Sequence, residues 1–187
     1  MLINDLLKNE INLSVSKSLM EDIGDGDITA TINNITSHSK AEIICREDMV
    51  LCGKLWVNEV FRQLDPSIKI NWMFNDGAFI KENTIIFELS GSTQNILSGE
   101  RCALNFLQTL SATASITRLY VNQLESLNCK VLDTRKTIPG LRLAQKYAVL
   151  CGGGTNHRIG LFDAILIKEN HIIGGDGIEN IVQKTKT

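Results

Sequence analysis

Lys130-Val131-Leu132-Asp133-Thr134-Arg135-Lys136-Thr137 and Phe162-Asp163-Ala164-Ile165-Leu166-Ile167-Lys168 are two short apolar runs that each lead into cations. The second run is apolar on both faces, which is the pattern of a strand covered on both sides. Between them Leu141 to Leu150 reads as a helix, and Ile178-Glu179-Asn180-Ile181-Val182 opens another. Strand, helix, strand, helix, with strands buried on both faces, predicts a parallel α/β sheet or barrel.

In such architectures ligands lie at the carboxyl ends of the strands. Arg135 and Lys136 follow one predicted strand and Lys168 the other, so all three are expected at one mouth. Between them runs Gly152-Gly153-Gly154-Thr155-Asn156-His157-Arg158. The triple glycine is neither a Walker loop, since no Gly-Lys-Ser/Thr follows, nor a dinucleotide fingerprint, since it follows a helix. Its interest is the adjacent His157-Arg158 pair. Arg135, Lys136, His157, Arg158 and Lys168 would repel one another in one pocket unless a multiply anionic ligand neutralised them. Arg forks suit carboxylates, and Lys suits phosphate or pyrophosphate as a compact charge. His171, just past the second strand, is expected in a structural or supporting role, and His38 on the surface.

Upstream the pattern changes to an α+β layer. Leu2 to Glu21 reads as a helix with a break near Asn12 to Ser14, because Asn and Ser favour caps. Glu21-Asp22-Ile23-Gly24-Asp25-Gly26-Asp27-Ile28-Thr29 reads as an acidic turn with capping roles rather than a cation loop. Strands are predicted over Ala41 to Arg46, Ile68 to Phe74 and Thr84 to Leu89, antiparallel with one covered face. Lys54 to Leu64 reads as a helix burying Trp56, Val57, Val60, Phe61 and Leu64. Ser98 is expected to cap a long helix from about Gly99 to Leu127. That start would put Arg101 in the first turn, against the helix dipole.

The chain has 187 residues, a formal net charge of −2 and 43% hydrophobic residues, ordinary for a globular protein. Its cations sit in motifs rather than a basic run, so no nucleic-acid surface is expected. No apolar stretch reaches the roughly 18 to 20 residues needed to cross a membrane, so no membrane partner is expected. The N-terminus lacks the pattern of a signal peptide. The five cysteines, an odd number without Cys-x-x-Cys spacing, are read as reduced thiols packed as small apolar side chains in a cytoplasmic protein. Two βα units cannot close a barrel. The chain is therefore expected to be a C-terminally truncated piece of a longer protein.

Taken together, these motifs resemble the quinolinate phosphoribosyltransferase family. The resemblance runs through Glu21 to Thr29, Gly99-Glu100-Arg101, Asp133-Thr134-Arg135-Lys136-Thr137-Ile138-Pro139-Gly140, Lys146-Tyr147-Ala148-Val149, Gly152 to Arg158 and Lys168-Glu169-Asn170-His171. It implies an N-terminal α+β sandwich over residues 1–110, then the first part of an α/β barrel over residues 111–187, the whole barrel having about seven strands. It implies transfer of phosphoribosyl from phosphoribosyl pyrophosphate to quinolinate, giving nicotinate mononucleotide, pyrophosphate and carbon dioxide, with magnesium, on the route to NAD. Arg135, His157 and Arg158 would hold the two carboxylates. Arg101 would reach into the partner's site of a homodimer, with any higher oligomer left open. Lys136 and Lys168 would carry the catalytic charge on the pyrophosphate, and Thr134 would contact ligand. The acidic residues for magnesium and the ribose are expected beyond Thr187, so the 187-residue chain is expected to be inactive alone. Ser111-Ala112-Thr113-Ala114-Ser115 departs from the family's Ser-Gly-Ile-Ala-Thr-like segment, and the added methyl of Ala112 is expected to be compensated. The rivals are a phosphoribosyltransferase for nicotinate or another aromatic acid, and a non-catalytic remnant that binds ligand or dimerises.

Overall fold

The computed structural model describes residues 2–33, 37–124, 126–175 and 177–185. The chain divides into two compact units, Met1–Asn156 and His157–Thr187.

The first unit opens with α1 (Leu2–Ile23) and α2 (Ile28–Asn33). α1 is continuous, without the break expected at Asn12 to Ser14. Both polar residues find partners without breaking the helix: Asn12 donates to Glu59, in the stretch Lys54–Leu64, at 2.9 Å, and the Ser14 hydroxyl to the Ile11 carbonyl at 3.2 Å. The acidic turn does cap. Asp27 accepts from the Ala30 N–H at 3.0 Å and from the Ser98 hydroxyl at 2.7 Å, and these donors hold its carboxyl below the usual range.

β1 (His38–Ile44), β3 (Lys69–Trp72) and β5 (Ile85–Ser92) form an antiparallel sheet in the order β1-β5-β3. Leu89, in the middle strand, stands opposite Ala41 on one side and Ile70 on the other. Phe87 likewise faces Ile43 and Trp72, and its ring lies 4.3 Å from the Trp72 ring. These apolar rows make the covered face and set the register. β2 (Met49–Val50) and β4 (Phe79–Ile80) pair separately.

α3 (Lys54–Leu64) spans the predicted residues and buries Trp56, Val57, Val60 and Phe61, while Leu64 is half-buried. Each large side chain so buried is worth roughly 1.5–3 kcal/mol. Trp56 also donates to the Ser14 hydroxyl at 3.3 Å, which keeps its indole nitrogen paired.

The long helix is α4 (Thr93–Gln123). It starts six residues before the expected Gly99, and Ser92 rather than Ser98 is its cap, accepting from the Asn95 N–H. Arg101 therefore lies inside the helix, beyond the first turn where a dipole penalty acts. Ser111 and Ser115 pin this helix to the strand region. Ser115 accepts from the Val50 N–H at 2.8 Å, and Ser111 exchanges bonds of 3.0 Å with both the N–H and the carbonyl of Cys52. Ala112 is exposed, so its methyl meets no packed neighbour in this chain.

α5 (Arg142–Cys151) follows. The strand expected at Lys130 to Leu132 is reduced to a single parallel bridge between Leu132 and Thr155. In the second unit the strand expected over Phe162 to Ile167 is absent, and Phe162 and Ile165 are 81% and 68% exposed. A strand buried on both faces needs neighbours on both edges and cover above and below, and the described residues of this unit supply neither. The unit instead holds two short helices, α6 (Glu169–Gly174) and α7 (Ile178–Lys184). The helix expected at Ile178 is thus present, whereas Lys186 and Thr187 lie outside the described residues.

Among the described residues no helix is long and apolar enough to cross a membrane. Cys45, Cys52 and Cys102 are buried, in keeping with apolar packing, but Cys129 is exposed and Cys151 half-exposed.

Candidate functional site

The first unit carries Thr134, Arg135 and Lys136 on the segment leaving the Leu132–Thr155 bridge. Two backbone bonds close that bridge: Thr155 N–H to the Val131 carbonyl at 2.9 Å and Asp133 N–H to the Thr155 carbonyl at 3.2 Å. Beneath the segment lies a buried ion pair. Lys146, from α5, reaches Asp133 at 2.5 Å, with side chains 3% and 5% exposed. Asn156 donates to the second Asp133 oxygen at 2.6 Å and to the Lys146 carbonyl at 2.8 Å. A buried charge pair with its remaining lone pairs filled is costly to assemble but rigid. It fixes the backbone from which the next three side chains project.

Thr134 accepts from the Lys136 N–H at 3.0 Å, an ST-type turn that shapes the segment. Lys136 is exposed and Arg135 half-buried. The Arg135 Nε is buried and has no hydrogen-bond partner among the described residues. An unpaired buried donor costs about 1–3 kcal/mol, more for a charged group. Such a donor is a place where an anionic acceptor gains affinity. Two concavities of about 500 and 350 Å³ open beside Pro139 and Gly140, but Thr134, Arg135 and Lys136 line neither.

The glycine loop has its own physical reason. A Cβ on Gly152 would sit 2.5 Å from the Ala114 carbonyl oxygen and 2.6 Å from Thr117 Cβ, so the loop runs against α4 too closely for any side chain. Gly153 adopts φ +90°, which L-residues avoid. Arg118 holds the same turn: Nε donates to the Gly152 carbonyl at 2.9 Å, and Nη2 to those of Cys151 and Gly77 at 3.2 and 3.4 Å. A guanidinium capping the carbonyl end of α5 was not visible in the sequence. The contacting segments are far apart in the chain, and Arg118 sits in an ordinary helical stretch.

The second unit holds His157, Arg158 and Lys168. His157 and Arg158 are half-buried. Arg158 Nη1 donates to the Ala164 carbonyl at 3.2 Å, while Asp163 accepts from the N–H groups of Ile159 and Gly160 at 2.7 and 2.8 Å. Lys168 precedes α6 with an exposed side chain, and its N–H donates to His171 Nδ1 at 3.0 Å. His171 thus has the structural part expected of it. The structure therefore groups Thr134, Arg135 and Lys136 on one segment of the first unit, and His157, Arg158 and Lys168 within the second. Arg101 is exposed on α4.

Comparison with known proteins gives this arrangement its class. The family model described as the N-terminal domain of quinolinate phosphoribosyl transferase matches residues 27–111, and that of the C-terminal domain matches residues 113–187. The chain belongs to the quinolinate phosphoribosyl transferase family. It is similar to the chloroplastic nicotinate-nucleotide pyrophosphorylase [carboxylating] of Oryza sativa subsp. japonica, 42% identical over 95% of this chain and 47% of that protein. A probable nicotinate-nucleotide pyrophosphorylase of Bacillus subtilis is 40% identical over 89% of this chain and 58% of that protein. Among solved structures, the nicotinate-nucleotide pyrophosphorylase of Francisella tularensis matches with a TM-score of 0.93 and 51% identity, over 96% of this chain and 64% of that one. That of Ehrlichia chaffeensis matches with a TM-score of 0.83 and 36% identity, over 92% and 63%. The chain thus spans about half the length of curated relatives such as the rice protein and less than two thirds of these structures.

Proposed function

We propose that this chain serves phosphoribosyl transfer from phosphoribosyl pyrophosphate to quinolinate with decarboxylation, yielding nicotinate mononucleotide, pyrophosphate and carbon dioxide. The observation that carries the reading is the buried Arg135 Nε, without a hydrogen-bond partner among the described residues, on a segment braced by Lys146 and Asp133, in a chain whose relatives bear the name of that enzyme. Arg135, His157 and Arg158 bind the two ring carboxylates. Lys136 and Lys168 are the catalytic cations, and Thr134 touches ligand beside them. The exposure of Arg101 on α4 suits a residue offered to the partner's site in a homodimer.

The chemistry uses these types in order. The bond from the sugar C1 to the pyrophosphate oxygen breaks, and the lysines stabilise the charge gathering on the leaving group. The ring nitrogen, held by its carboxylates in the Arg-His cradle, forms the new bond to C1. That makes the ring cationic and able to accept the electron pair left when the adjacent carboxylate departs as carbon dioxide. A proton from water then fills the ring carbon, so no protein base is assigned.

Magnesium belongs to the reading as the companion of the pyrophosphate. Among the described residues no carboxylate set beside Thr134 to Lys136 suits it, since Asp133 is engaged by Lys146 and Asn156. The reading also takes the domain division at 110/111, which the meeting of the two family models between 111 and 113 supports, and a cytoplasmic location, which the unpaired thiols support. Plant relatives carry chloroplastic or mitochondrial names.

The test is release of carbon dioxide from carboxyl-labelled quinolinate in the presence of phosphoribosyl pyrophosphate. It is run on the 187-residue chain and on the product of its whole reading frame. The reading expects turnover by the latter and none by the former. Turnover of nicotinate in preference, or none by either, overturns it.

A further inference from the structure

Cys52 and Cys151 lie far apart in the sequence and meet in the first unit. Cys52, between β2 and α3, is fully buried, and Cys151, the last residue of α5, is half-exposed. Their sulfurs and a carboxylate oxygen of Asp76 all lie within 4.8 Å of one another. Asp76 is already committed as an acceptor: one oxygen takes the Lys54 N–H at 3.2 Å and the other the Tyr147 hydroxyl at 2.9 Å. That leaves the two sulfurs as the reactive part of the cluster.

The neighbouring Cys52 thiol holds the Cys151 thiol below its ordinary range, with burial and the Asp76 charge opposing. The Cys52 thiol, beside the Cys151 sulfur and buried, is pushed up and keeps its proton. A half-exposed, thiolate-prone cysteine beside a buried second thiol is the arrangement of peroxide-sensing pairs.

We propose that Cys151 and Cys52 form a reversible disulfide driven by hydrogen peroxide. The Cys151 thiolate attacks one peroxide oxygen, the O–O bond breaks, and hydroxide leaves to become water, giving a sulfenic acid on Cys151. The Cys52 sulfur then attacks the Cys151 sulfur. The S–S bond forms, the S–O bond breaks, and the departing hydroxide takes the Cys52 proton. Two thiols and one peroxide become one disulfide and two waters, the sulfurs losing two electrons in all. A dithiol reductant reverses the change by exchange.

The bond would tether α5 at the residue from which the glycine loop starts. Arg118 grips that loop at Cys151 and Gly152, and the loop leads to the Thr155 and Asn156 contacts with Asp133. Oxidation is therefore placed to act on the segment that carries Arg135.

The experiment treats the 187-residue chain with hydrogen peroxide, quenches it in denaturant with an alkylating agent, and maps peptides without reduction. The expected result is a Cys52–Cys151 cross-linked peptide, with Cys45, Cys102 and Cys129 alkylated, and full alkylation after dithiothreitol. Cys52→Ser should leave a Cys151 sulfenic acid that dimedone traps. Three results would overturn the proposal. One is modification of Cys129 with both Cys52 and Cys151 still alkylated. Another is dimedone labelling of Cys151 in the unaltered chain with no cross-link. The third is a tight 1:1 cobalt(II) complex with thiolate charge-transfer bands that Cys151→Ser abolishes, which would assign the cluster to a metal instead.

Discussion

Lys146 Nζ lies 2.5 Å from Asp133 Oδ1, and neither side chain is more than 5% exposed. The pair joins α5 to the segment that bears Thr134, Arg135 and Lys136, so stability and site geometry share one contact. Removing the ammonium by Lys146→Met leaves Asp133 in a site built for a cation. The expected loss is about 3–5 kcal/mol, read as a lower urea midpoint. The double change Lys146→Met with Asp133→Leu should lose distinctly less. Equal losses would show that the pair is not the cause.

Gly152→Ala tests the close approach of the glycine loop to α4. Its new Cβ would meet backbone oxygen and a Thr117 carbon at 2.5 and 2.6 Å, atoms that cannot swing aside. Overpacking of this kind costs typically about 1–3 kcal/mol, seen as a lower Tm. Gly140→Ala, with φ +80° but open space around the Cβ, should cost less, about 1 kcal/mol for the backbone alone.

Arg118→Ala should cost about 1–3 kcal/mol, since three carbonyls lose a charged donor. The turn after α5 should then exchange its amide protons faster, as hydrogen exchange can measure. Unchanged exchange there would separate Arg118 from the loop.

Glu59 sets an acid dependence. Bonds from Arg62, then Gln63 and Asn12, hold its carboxyl down to about 2 from an ordinary 4.5. A carboxylate with a folded value below its unfolded one stabilises the fold above the unfolded value, and the contribution fades as pH falls through that window. The tie between α1 and α3 should therefore weaken between about pH 4.5 and 2. Glu59→Gln should flatten this part of the stability-versus-pH curve while leaving the carboxylates elsewhere to act.

How much of this was legible depended on how local the cause was. α3 was readable because Trp56, Val57, Val60 and Phe61 carry a helical stripe within one turn-bounded segment. The sheet strands were readable because Ile70, Trp72, Phe87 and Leu89 sit in local hydrophobic runs, but β5 runs to Ser92, past the expected Leu89. Ser98 was a plausible cap on composition alone, yet its hydroxyl serves Asp27, and Ser92 performs the capping. The break at Asn12 to Ser14 failed because the side chains found partners, one of them on another helix, that no short window displays. Leu132 and Phe162 to Ile167 have strand-like sequences, but a parallel ladder is a property of its neighbours. Arg135, Lys136 and His157-Arg158 stood out as cations placed after apolar or glycine-rich segments. The brace of Lys146, Asp133 and Asn156, like the meeting of Cys52 with Cys151, needed the fold to be seen.

The most direct test of the account is calorimetric titration of the full reading-frame product with quinolinate and with nicotinate, before and after Arg135→Ala. One further charge-assisted pair is worth about 1.5–3 kcal/mol, or roughly 10- to 150-fold in affinity. The account predicts that quinolinate binds tighter than nicotinate by about that ratio and that Arg135→Ala removes most of the difference while circular dichroism stays unchanged. Equal affinities for the two acids, or a preference that survives the loss of Arg135, would contradict it.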